Sequence, residues 1–345
     1  MKYQFKVLTI LLTALILTSF TSLSSFAFDG EILVPNALKK GDKICILEPS
    51  CTDKTEEKEN ILEKRLPVIL KNLQDRGFEV VIYKDALTPT PLGLGDGTEQ
   101  LRADLFNRAV KDPEIKAIFS FKGGYGAVQV LDKIDYMAFR ENKKIFVGFS
   151  DETAIESAIF EKSGVVTFHG PMIGCAINYK ETKCFDNLFD MLMNPRAKIE
   201  LCNIDDNSLF KVFKPGKCES QVFGGNMCLI QSLVGTPYEP SYKNKILFFE
   251  EVEEDDYRIH RILWQLKLAG RLDEVAGIII GTLVPLEGGT ERGLLNACFD
   301  VLKDLDIPII YNFHSGHISN PLTLPIGAIL QIENEKVTIM QPVVE

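Results

Sequence analysis

From Lys43 onward, short apolar segments alternate with longer segments of helical periodicity, and this alternation constrains the fold more than any other feature. The short segments are apolar on both faces, as strands covered on both sides of a parallel sheet are. They are KICIL (43–47), EVVIY (79–83), AIFSF (117–121) and IFVGF (145–149). Helical patterns lie between them, over 55–76, over 98–110, after Gly126 and over 152–162. The sequence therefore predicts a doubly wound α/β domain over residues 36–195.

A second unit is predicted after a polar interval. Prolines, glycine and polar residues accumulate near the end of the first unit, and we place a linker over 196–217. Beyond it, KILFF, GIIIG and PIIY predict further strands, a helix is expected near 257–270, and AILQIE with KVTIMQ predicts a hairpin. Residues 218–345 therefore form a second α/β domain, and 345 residues suffice for two domains that each bury a core.

The first residues have the pattern of an export signal. Lys2 and Lys6 precede an uncharged apolar stretch, and small residues occupy the end of the segment at Ser25 and Ala27. A basic start, a short apolar region and small residues at the −3 and −1 positions predict a secretory signal over 1–27, cleaved after Ala27. The alternative is an uncleaved membrane anchor, although the apolar region is shorter than the roughly 20 residues that span a bilayer. We expect the protein to be exported to the periplasm.

Charge and cysteine usage exclude several classes of protein. The formal net charge is −10, and no basic stripe offsets it, so a phosphate-binding nucleic-acid protein is not expected. None of the eight cysteines forms a CxxC pair, which argues against zinc-ribbon and thioredoxin-type sites. Cys45 and Cys298 lie in apolar runs and are expected to be buried free thiols. Cys202 and Cys218 flank a polar loop and are the pair to test for a disulfide.

Ser150 lies at the abrupt junction between the strand IFVGF and the next helix. A serine at such a turn can present its hydroxyl above the sheet, with the following backbone N–H directed at the same space. The helix N-terminus would favour a developing negative charge there. The alternative is a helix N-cap, because serine before Asp151-Glu152 is also typical of that position.

The glycine-rich segment Lys122-Gly123-Gly124-Tyr125-Gly126 directly follows the strand AIFSF. Ligands bind at this carboxyl edge in open parallel sheets. The glycine spacing matches neither the dinucleotide-binding fingerprint nor the P-loop. Two interpretations stay open: a phosphate cradle, or a backbone N–H that stabilises an oxyanion.

A carboxylate and a histidine pair complete the candidate residues. Glu250 lies directly after the apolar run KILFF and opens an acidic segment, most of which is expected to be a solvated helix start. His314 and His317, with His169 as a third ligand, could bind zinc, but no accompanying carboxylate or cysteine pattern completes such a shell. The alternative is that His317 is a general base.

Four segments occur together and in order. They are KGGYGAVQVLDKIDY, KIFVGFSDETAIESAIFEKSGVVTFHGPM, ILFFEEVEEDDYRIHRILWQLKLAG and FHSGHISNPLTLPIGA. This combination resembles the LD-carboxypeptidases and the related microcin-immunity peptidases. The similarity extends from about Lys43 to Gln341, nearly the whole chain after the signal.

The resemblance implies an amidotransferase-like N-terminal domain with a parallel sheet, a C-terminal swivelling α/β domain, and a serine–glutamate–histidine triad at their junction. By motif, the serine of GFSD is Ser150, the glutamate opening the acidic run is Glu250, and the histidine of the glycine–histidine pair is His317. The family's oxyanion hole would fall on the backbone N–H groups of Asp151 and Gly124, with Gly123 as the alternative to Gly124.

The same resemblance implies a serine carboxypeptidase that needs neither metal nor cofactor. Its expected substrate and partner is a peptidoglycan-derived peptide, a murein tetrapeptide from which terminal D-alanine is released, and members of the family often form homodimers. Two alternatives remain: a peptidase of the same family that gives immunity to a peptide antibiotic, and an exported solute-binding protein, in which the three triad residues would have no need to converge.

Two positions depart from the family's pattern. Lys122 replaces the arginine that usually precedes the glycine pair, and a lysine lacks the bidentate fork for a carboxylate. We treat Lys122 as a substrate-binding candidate. His260-Arg261 replaces the family's Asp-Arg, with an expected effect on packing rather than on the triad.

Overall fold

The first sheet is built from the short apolar segments. The computed structural model describes residues 30–50, 63–87, 98–175 and 183–345. Six strands form this sheet in the order β12-β5-β4-β3-β1-β2. Their bounds are β1 (Lys43–Leu47), β2 (Glu79–Val81), β3 (Ile115–Ser120), β4 (Ile145–Gly148), β5 (Thr167–His169) and β12 (Leu324–Ile326). Strands β1 to β5 pair in parallel, and β12 pairs antiparallel with β5.

Alternate residues of these strands enter two separate cores. Ile44 and Phe119 point into one apolar cluster, whereas their neighbours Cys45 and Ile118 point into the other. Helices cover both clusters: α1 (Leu66–Asp75), α2 (Glu99–Lys111), α3 (Tyr136–Asn142), α4 (Thr153–Ser163) and α5 (Lys183–Met193). This arrangement confirms the predicted α/β class with a parallel sheet covered on both faces.

The segment after Gly126 differs from the single helix that was predicted there. It forms two short 3₁₀ turns, Ala127–Gln129 and Leu131–Lys133, before α3 begins. The carboxylate of Asp135 accepts a hydrogen bond from the N–H of Ala138, so it caps a new helix instead of continuing the preceding turns.

The second sheet has eight strands in the order β6-β14-β13-β8-β9-β10-β11-β7. Their bounds are β6 (Ile199–Leu201), β7 (Lys211–Lys214), β8 (Lys217–Asn226), β9 (Ile246–Glu254), β10 (Gly277–Pro285), β11 (Ile309–Tyr311), β13 (Ile329–Glu333) and β14 (Lys336–Ile339). The helices α6 (Met227–Leu233), α7 (Asp256–Leu268) and α8 (Glu291–Leu302) pack on one face. The hairpin of β13 and β14 is antiparallel, as the sequence predicts.

The structure divides the chain differently from the sequence segments in two places. The segment 196–217, predicted as a linker, contains β6 and β7, which are the edge strands of the second sheet. The C-terminal part also returns to the first unit, because β12 pairs with β5 and Val343 and Val344 enter the core of the first sheet.

Two further points complete the fold. The predicted export signal, residues 1–27, lies outside the described residues. In the described ranges, no helix combines the length and the apolar character that crossing a bilayer requires.

Cys202 and Cys218 are free thiols rather than a disulfide, and Cys45 and Cys298 are buried free thiols.

Candidate active site

Ser150 occupies a strained turn at the carboxyl end of β4. Its φ angle is +61°, in the left-handed region that a residue with a side chain rarely adopts. A 3₁₀ turn, Ser150–Glu152, leads directly into α4. Backbone strain of this kind persists only where the surrounding structure enforces it, and it is concentrated at functional sites. The turn projects the hydroxyl away from the sheet toward the second domain.

His317 bonds to Ser150 through one ring nitrogen and to Glu250 through the other. Its Nε2 lies 3.0 Å from the Ser150 Oγ, and its Nδ1 lies 2.8 Å from the Glu250 Oε2. A carboxylate can only accept, so the ring proton lies on Nδ1, and Nε2 accepts from the serine hydroxyl. The structure therefore brings the three predicted residues together in one hydrogen-bonded chain that runs across the two domains.

Glu250 is buried in the middle of β9 rather than at its end, since the strand continues to Glu254. Its second oxygen, Oε1, accepts a hydrogen bond of 3.3 Å from the amide of Asn226. Gly316 leaves room for the carboxylate: a Cβ at that position would lie 2.5 Å from the Glu250 Oε2. The carboxylate is thus held from both sides and has one orientation toward His317.

The electrostatic surroundings of His317 favour its protonated form. Burial lowers the pKa of His317, but the charge and hydrogen bond of Glu250, assisted by the charges of Glu251 and Glu253, outweigh it and raise the pKa above its ordinary value. The Phe149 ring packs on the imidazole, with ring centroids 4.9 Å apart. These contacts give a base that binds the proton of the serine more strongly than an isolated imidazole does.

The glycine-rich loop lies against the serine turn. A Cβ built on Gly123 would be 3.2 Å from the Cβ of Ser150 and 3.4 Å from the backbone nitrogen of Asp151, so a side chain there would be tightly packed against the serine turn. Gly124 follows with a φ of +130°. Of the predicted oxyanion-hole residues, Asp151 directly follows Ser150 in the turn, and Gly123, the alternative to Gly124, is the glycine that lies against the turn.

The carboxylates that follow Ser150 point away from solvent. Asp151 accepts a 2.7 Å hydrogen bond from the N–H of Ala127, which fastens the far end of the glycine-rich loop. Burial raises the pKa of Asp151. Burial, together with the charge of Asp151, raises the pKa of Glu152 to about 8.

Lys122, His169 and His260 lie outside the hydrogen-bonded chain of Ser150, His317 and Glu250. Lys122 is half-buried at the start of the glycine-rich loop. His169 is buried with its Nδ1 3.2 Å from the Glu156 Oε2. His260 lies on α7 and contacts Trp264 of the same helix and Asp300 of α8. Among the residues that the structure describes, no three His, Cys, Asp or Glu side chains are grouped to hold a metal ion.

Asn226 is a site residue that the sequence prediction lacks. Its amide donates to Glu250 and, at 2.8 Å, to Glu251, and its backbone N–H donates to the Thr153 Oγ1 of the first domain at 2.9 Å. Asn226 ends the strand β8 after two glycines. The signal that the sequence offers is a polar side chain at the end of a strand. This signal does not identify Asn226 as a site residue, because its contact with Glu250 depends on the pairing of β8 with β9.

Comparisons with known proteins identify relatives over most of the chain. The family model for the LD-carboxypeptidase N-terminal domain matches residues 44–170, and the model for the LD-carboxypeptidase C-terminal domain matches residues 219–332. A probable murein peptide carboxypeptidase of Bacillus subtilis is 32% identical over 302 residues, covering 85% of this chain and 89% of the relative.

Two solved structures share the fold. The wild-type apo structure of the microcin C7 self-immunity protein MccF is 27% identical, with a TM-score of 0.79 over 91% of this chain and 100% of that chain. A muramoyltetrapeptide carboxypeptidase from Oxalobacter formigenes is 24% identical, with a TM-score of 0.67 over 86% of this chain and 97% of that chain. Together with the matched domains, these similarities show that the chain belongs to the LD-carboxypeptidase family of serine carboxypeptidases.

Proposed function

We propose that this enzyme hydrolyses the L,D-peptide bond that releases terminal D-alanine from murein tetrapeptides. The observation that carries the proposal is the hydrogen-bonded chain from Ser150 through His317 to Glu250. The murein substrate class comes from the Bacillus subtilis relative, which is named a probable murein peptide carboxypeptidase. Turnover of peptidoglycan is the process in which such a peptide arises.

The geometry supports an acyl-enzyme mechanism. His317 takes the proton of Ser150 as the hydroxyl oxygen attacks the peptide carbonyl, and Glu250 stabilises the imidazolium that forms. The backbone N–H group of Asp151 and that of Gly124, or of Gly123 as its alternative, donate to the oxyanion of the tetrahedral intermediate. His317 returns its proton to the leaving amine of D-alanine, and a water molecule, activated by the same imidazole, then releases the tripeptide.

The decisive experiment compares the wild type with Ser150→Ala on purified murein tetrapeptide, with D-alanine as the measured product. Loss of the nucleophile is expected to lower kcat by about 10⁴-fold or more.

Activity should survive exhaustive chelation, because no step of the mechanism uses a metal ion. Retention of turnover by a folded Ser150→Ala would refute the serine mechanism, and loss on chelation with recovery on adding zinc would refute the metal-free one.

A second substrate class has support from the structural comparison. The immunity protein MccF superposes with the higher TM-score of the two solved structures. An acyl-amide linked to a nucleotide is therefore the competing substrate. Incubation with aspartyl sulfamoyl adenosine, a compound bound in another MccF structure, separates the two. Binding of that compound without any cleavage of tetrapeptide would favour the immunity function.

We also propose that Lys122 binds the terminal carboxylate of the substrate. It lies beside the glycine-rich loop, and an exopeptidase that removes one residue has to recognise a free carboxylate. Lysine provides a mobile point charge, whereas arginine would provide two parallel hydrogen bonds. Lys122→Arg is therefore expected to lower KM for tetrapeptide, with a smaller effect on kcat. If both enzymes discriminate equally between tetrapeptide and its C-terminal amide, Lys122 has no role in recognition of the carboxylate.

Export is proposed on the evidence of residues 1–27 alone. The basic residues Lys2 and Lys6, the apolar stretch and the small residues before Phe28 are the supporting features. Fractionation of the producing cells, with N-terminal sequencing, should find a form that begins at Phe28 outside the cytoplasm. A full-length form that stays with the membrane would support the anchor, and full-length protein found only in the cytoplasm would refute export.

A further inference from the structure

A carboxyl group that the mechanism does not use lies buried directly behind the serine turn. Glu152 is fully buried, and its Oε1 lies 2.7 Å from the Ser50 Oγ, 3.3 Å from the Ser50 backbone nitrogen and 3.0 Å from the Ser120 Oγ. Ser50 follows β1, Ser120 ends β3, and Glu152 follows β4. These strands are neighbours in the sheet, so one carboxyl group joins the carboxyl ends of three strands.

The burial of an unpartnered carboxyl oxygen favours a neutral Glu152. Its Oε2 is buried and has no partner, and a charged oxygen in that position would lose its hydration without compensation. The carboxylate of Asp151 is the adjacent residue, so a second negative charge there would also be repelled. Burial also raises the pKa of Glu152, which favours the neutral form. A neutral acid carries a proton that it can donate.

The Ser120 hydroxyl lies between Glu152 and the glycine-rich loop. Its oxygen is 3.0 Å from the Glu152 Oε1 and 3.3 Å from the backbone carbonyl oxygen of Lys122. A hydroxyl has one proton, and a carbonyl can only accept. If Ser120 donates to Lys122, it must accept from Glu152, and it can do so only while Glu152 is protonated.

The carbonyl of Lys122 belongs to the same rigid peptide plane as the N–H of Gly123. Gly123 is the residue at which an added Cβ would contact the Cβ of Ser150 and the nitrogen of Asp151. A hydrogen bond that fixes this carbonyl therefore fixes the direction of the Gly123 N–H and the start of the loop that leads to Gly124. The other end of the loop is fastened separately, where Asp151 accepts from Ala127.

We propose that Glu152 is a positioning residue: as a neutral acid it donates through the Ser120 hydroxyl to the Lys122 carbonyl and holds the Lys122–Gly123 peptide in place for oxyanion binding beside Ser150. This role rests on the proposed serine mechanism. Because the oxyanion forms only during the reaction, this role stabilises the transition state. It leaves the binding of the ground-state substrate unchanged.

The test compares two serines that contact the same carboxyl oxygen. Ser120→Ala removes the hydroxyl that reaches the Lys122 carbonyl, whereas Ser50→Ala removes an equally buried hydroxyl that does not. Full-length enzyme is assayed for tetrapeptide hydrolysis and for acylation of Ser150 by p-nitrophenyl acetate. Ser120→Ala is expected to lower kcat and the acylation rate by about 10- to 100-fold, with KM changed less than about threefold, because a misdirected oxyanion donor affects only the transition state. Ser50→Ala should stay within about threefold of the wild type in both assays.

A second pair of variants tests the proton itself and also serves if Ser120→Ala does not fold. Glu152→Gln keeps the shape of the side chain and can donate from its amide nitrogen, whereas Glu152→Met has a similar size and no donor. Relative to Glu152→Met, Glu152→Gln is expected to recover at least about tenfold in kcat. Equal rates for this pair, or equal losses in Ser120→Ala and Ser50→Ala, would overturn the proposal.

The ester assay separates this proposal from the substrate assignment. If the wild type is acylated by the ester but does not cleave tetrapeptide, the proposed murein function is refuted. The comparison of Ser120→Ala with Ser50→Ala, and that of Glu152→Gln with Glu152→Met, are then made with the ester alone. If Ser150 is acylated by neither compound, the serine mechanism and the positioning role are both refuted.

Discussion

At the scale of single residues, the environment of His317 sets the pH range in which the enzyme works. The imidazole has to be neutral to accept the serine proton, so activity declines as the pH falls through its pKa. Glu250, the residue that raises this pKa most, is fully buried and fixed by Asn226. The orientation of the base and its affinity for a proton therefore have the same structural origin.

This common origin leads to a testable pH profile. We expect the acidic limb of kcat/KM in the wild type to have its midpoint above the ordinary histidine value of about 6.5. Glu250→Gln removes the charge that raises the pKa, so the midpoint should move to lower pH while kcat falls by up to about 10⁴-fold. The measurement is kcat/KM from about pH 5 to pH 9 for both enzymes. An unchanged midpoint in Glu250→Gln would show that the carboxylate does not control the protonation of His317.

The residues of this chain were predictable from the sequence to different degrees. Ser150 lies at a junction of strand and helix that local patterns reveal, and Glu250 and His317 were assigned by resemblance to a family. Asn226 and Glu152 were not predicted, because a buried polar side chain is recognised only when its partners are known. Those partners lie 24 residues away from Asn226, and 32 and 102 residues away from Glu152.

At the scale of elements, glycines decide how closely the loops of the site approach each other. Gly316, with a φ of +119°, precedes His317 and passes within reach of the Glu250 carboxylate. Gly225, at the end of β8, similarly approaches Thr153 of the first domain, where a Cβ would lie 2.5 Å from the hydroxyl oxygen. These two close approaches within the site therefore depend on the absence of a side chain.

We expect Gly316→Ala to lower kcat by at least about 100-fold. A Cβ at this position would displace the Glu250 carboxylate that orients His317, and misplacing a catalytic group by about 1 Å can slow a reaction by that factor. Gly235→Ala is the matched control: its φ is also positive, at +80°, but a Cβ there meets nothing within 4 Å. Both variants strain the backbone, so thermal unfolding should show similar losses of stability. Equal activity in the two variants would mean that Gly316 is needed only for its backbone conformation.

The elements themselves were predictable where the apolar pattern is long. Strands β1, β3 and β4 appear in the sequence as continuous apolar runs, since helices cover both their faces. Strands β6 and β12 have three residues each, too few for a periodic signal, and they form by pairing with distant partners. The predicted linker was therefore placed over residues that belong to the second sheet.

At the scale of the whole molecule, the chain crosses between the two sheets more than once. One apolar cluster includes Phe119 and Val147 of the first sheet and also Val222 and Ile246 of the second. After leaving the second sheet, the C-terminus returns to the beginning of the described chain: the N–H of Ala37 donates to the carbonyl of Glu345, and the N–H of Glu345 donates to the carbonyl of Pro35. The two sequence segments are thus joined by a shared core, which limits how independently they can unfold.

A deletion at the C-terminus tests this coupling. Removing residues 343–345 takes Val343 and Val344, both nearly fully buried, out of the core of the first sheet and breaks both backbone hydrogen bonds. Each valine contributes about 1.5 to 3 kcal/mol to the free energy of unfolding. At about 2 to 4 °C per kcal/mol for a domain of this size, Tm should fall by roughly 10 °C.

The matched control for this deletion is Glu345→Gln, which keeps the backbone and removes only the exposed ion pair with Lys143. Because exposed pairs contribute little, Tm should change by less than about 2 °C. Calorimetry should show one cooperative transition for the wild type, since the strand from the C-terminal part and the C-terminal valines complete the core of the first sheet. Two separate transitions in the wild type, or a deletion variant that melts with the control, would show that each segment is stable without the other.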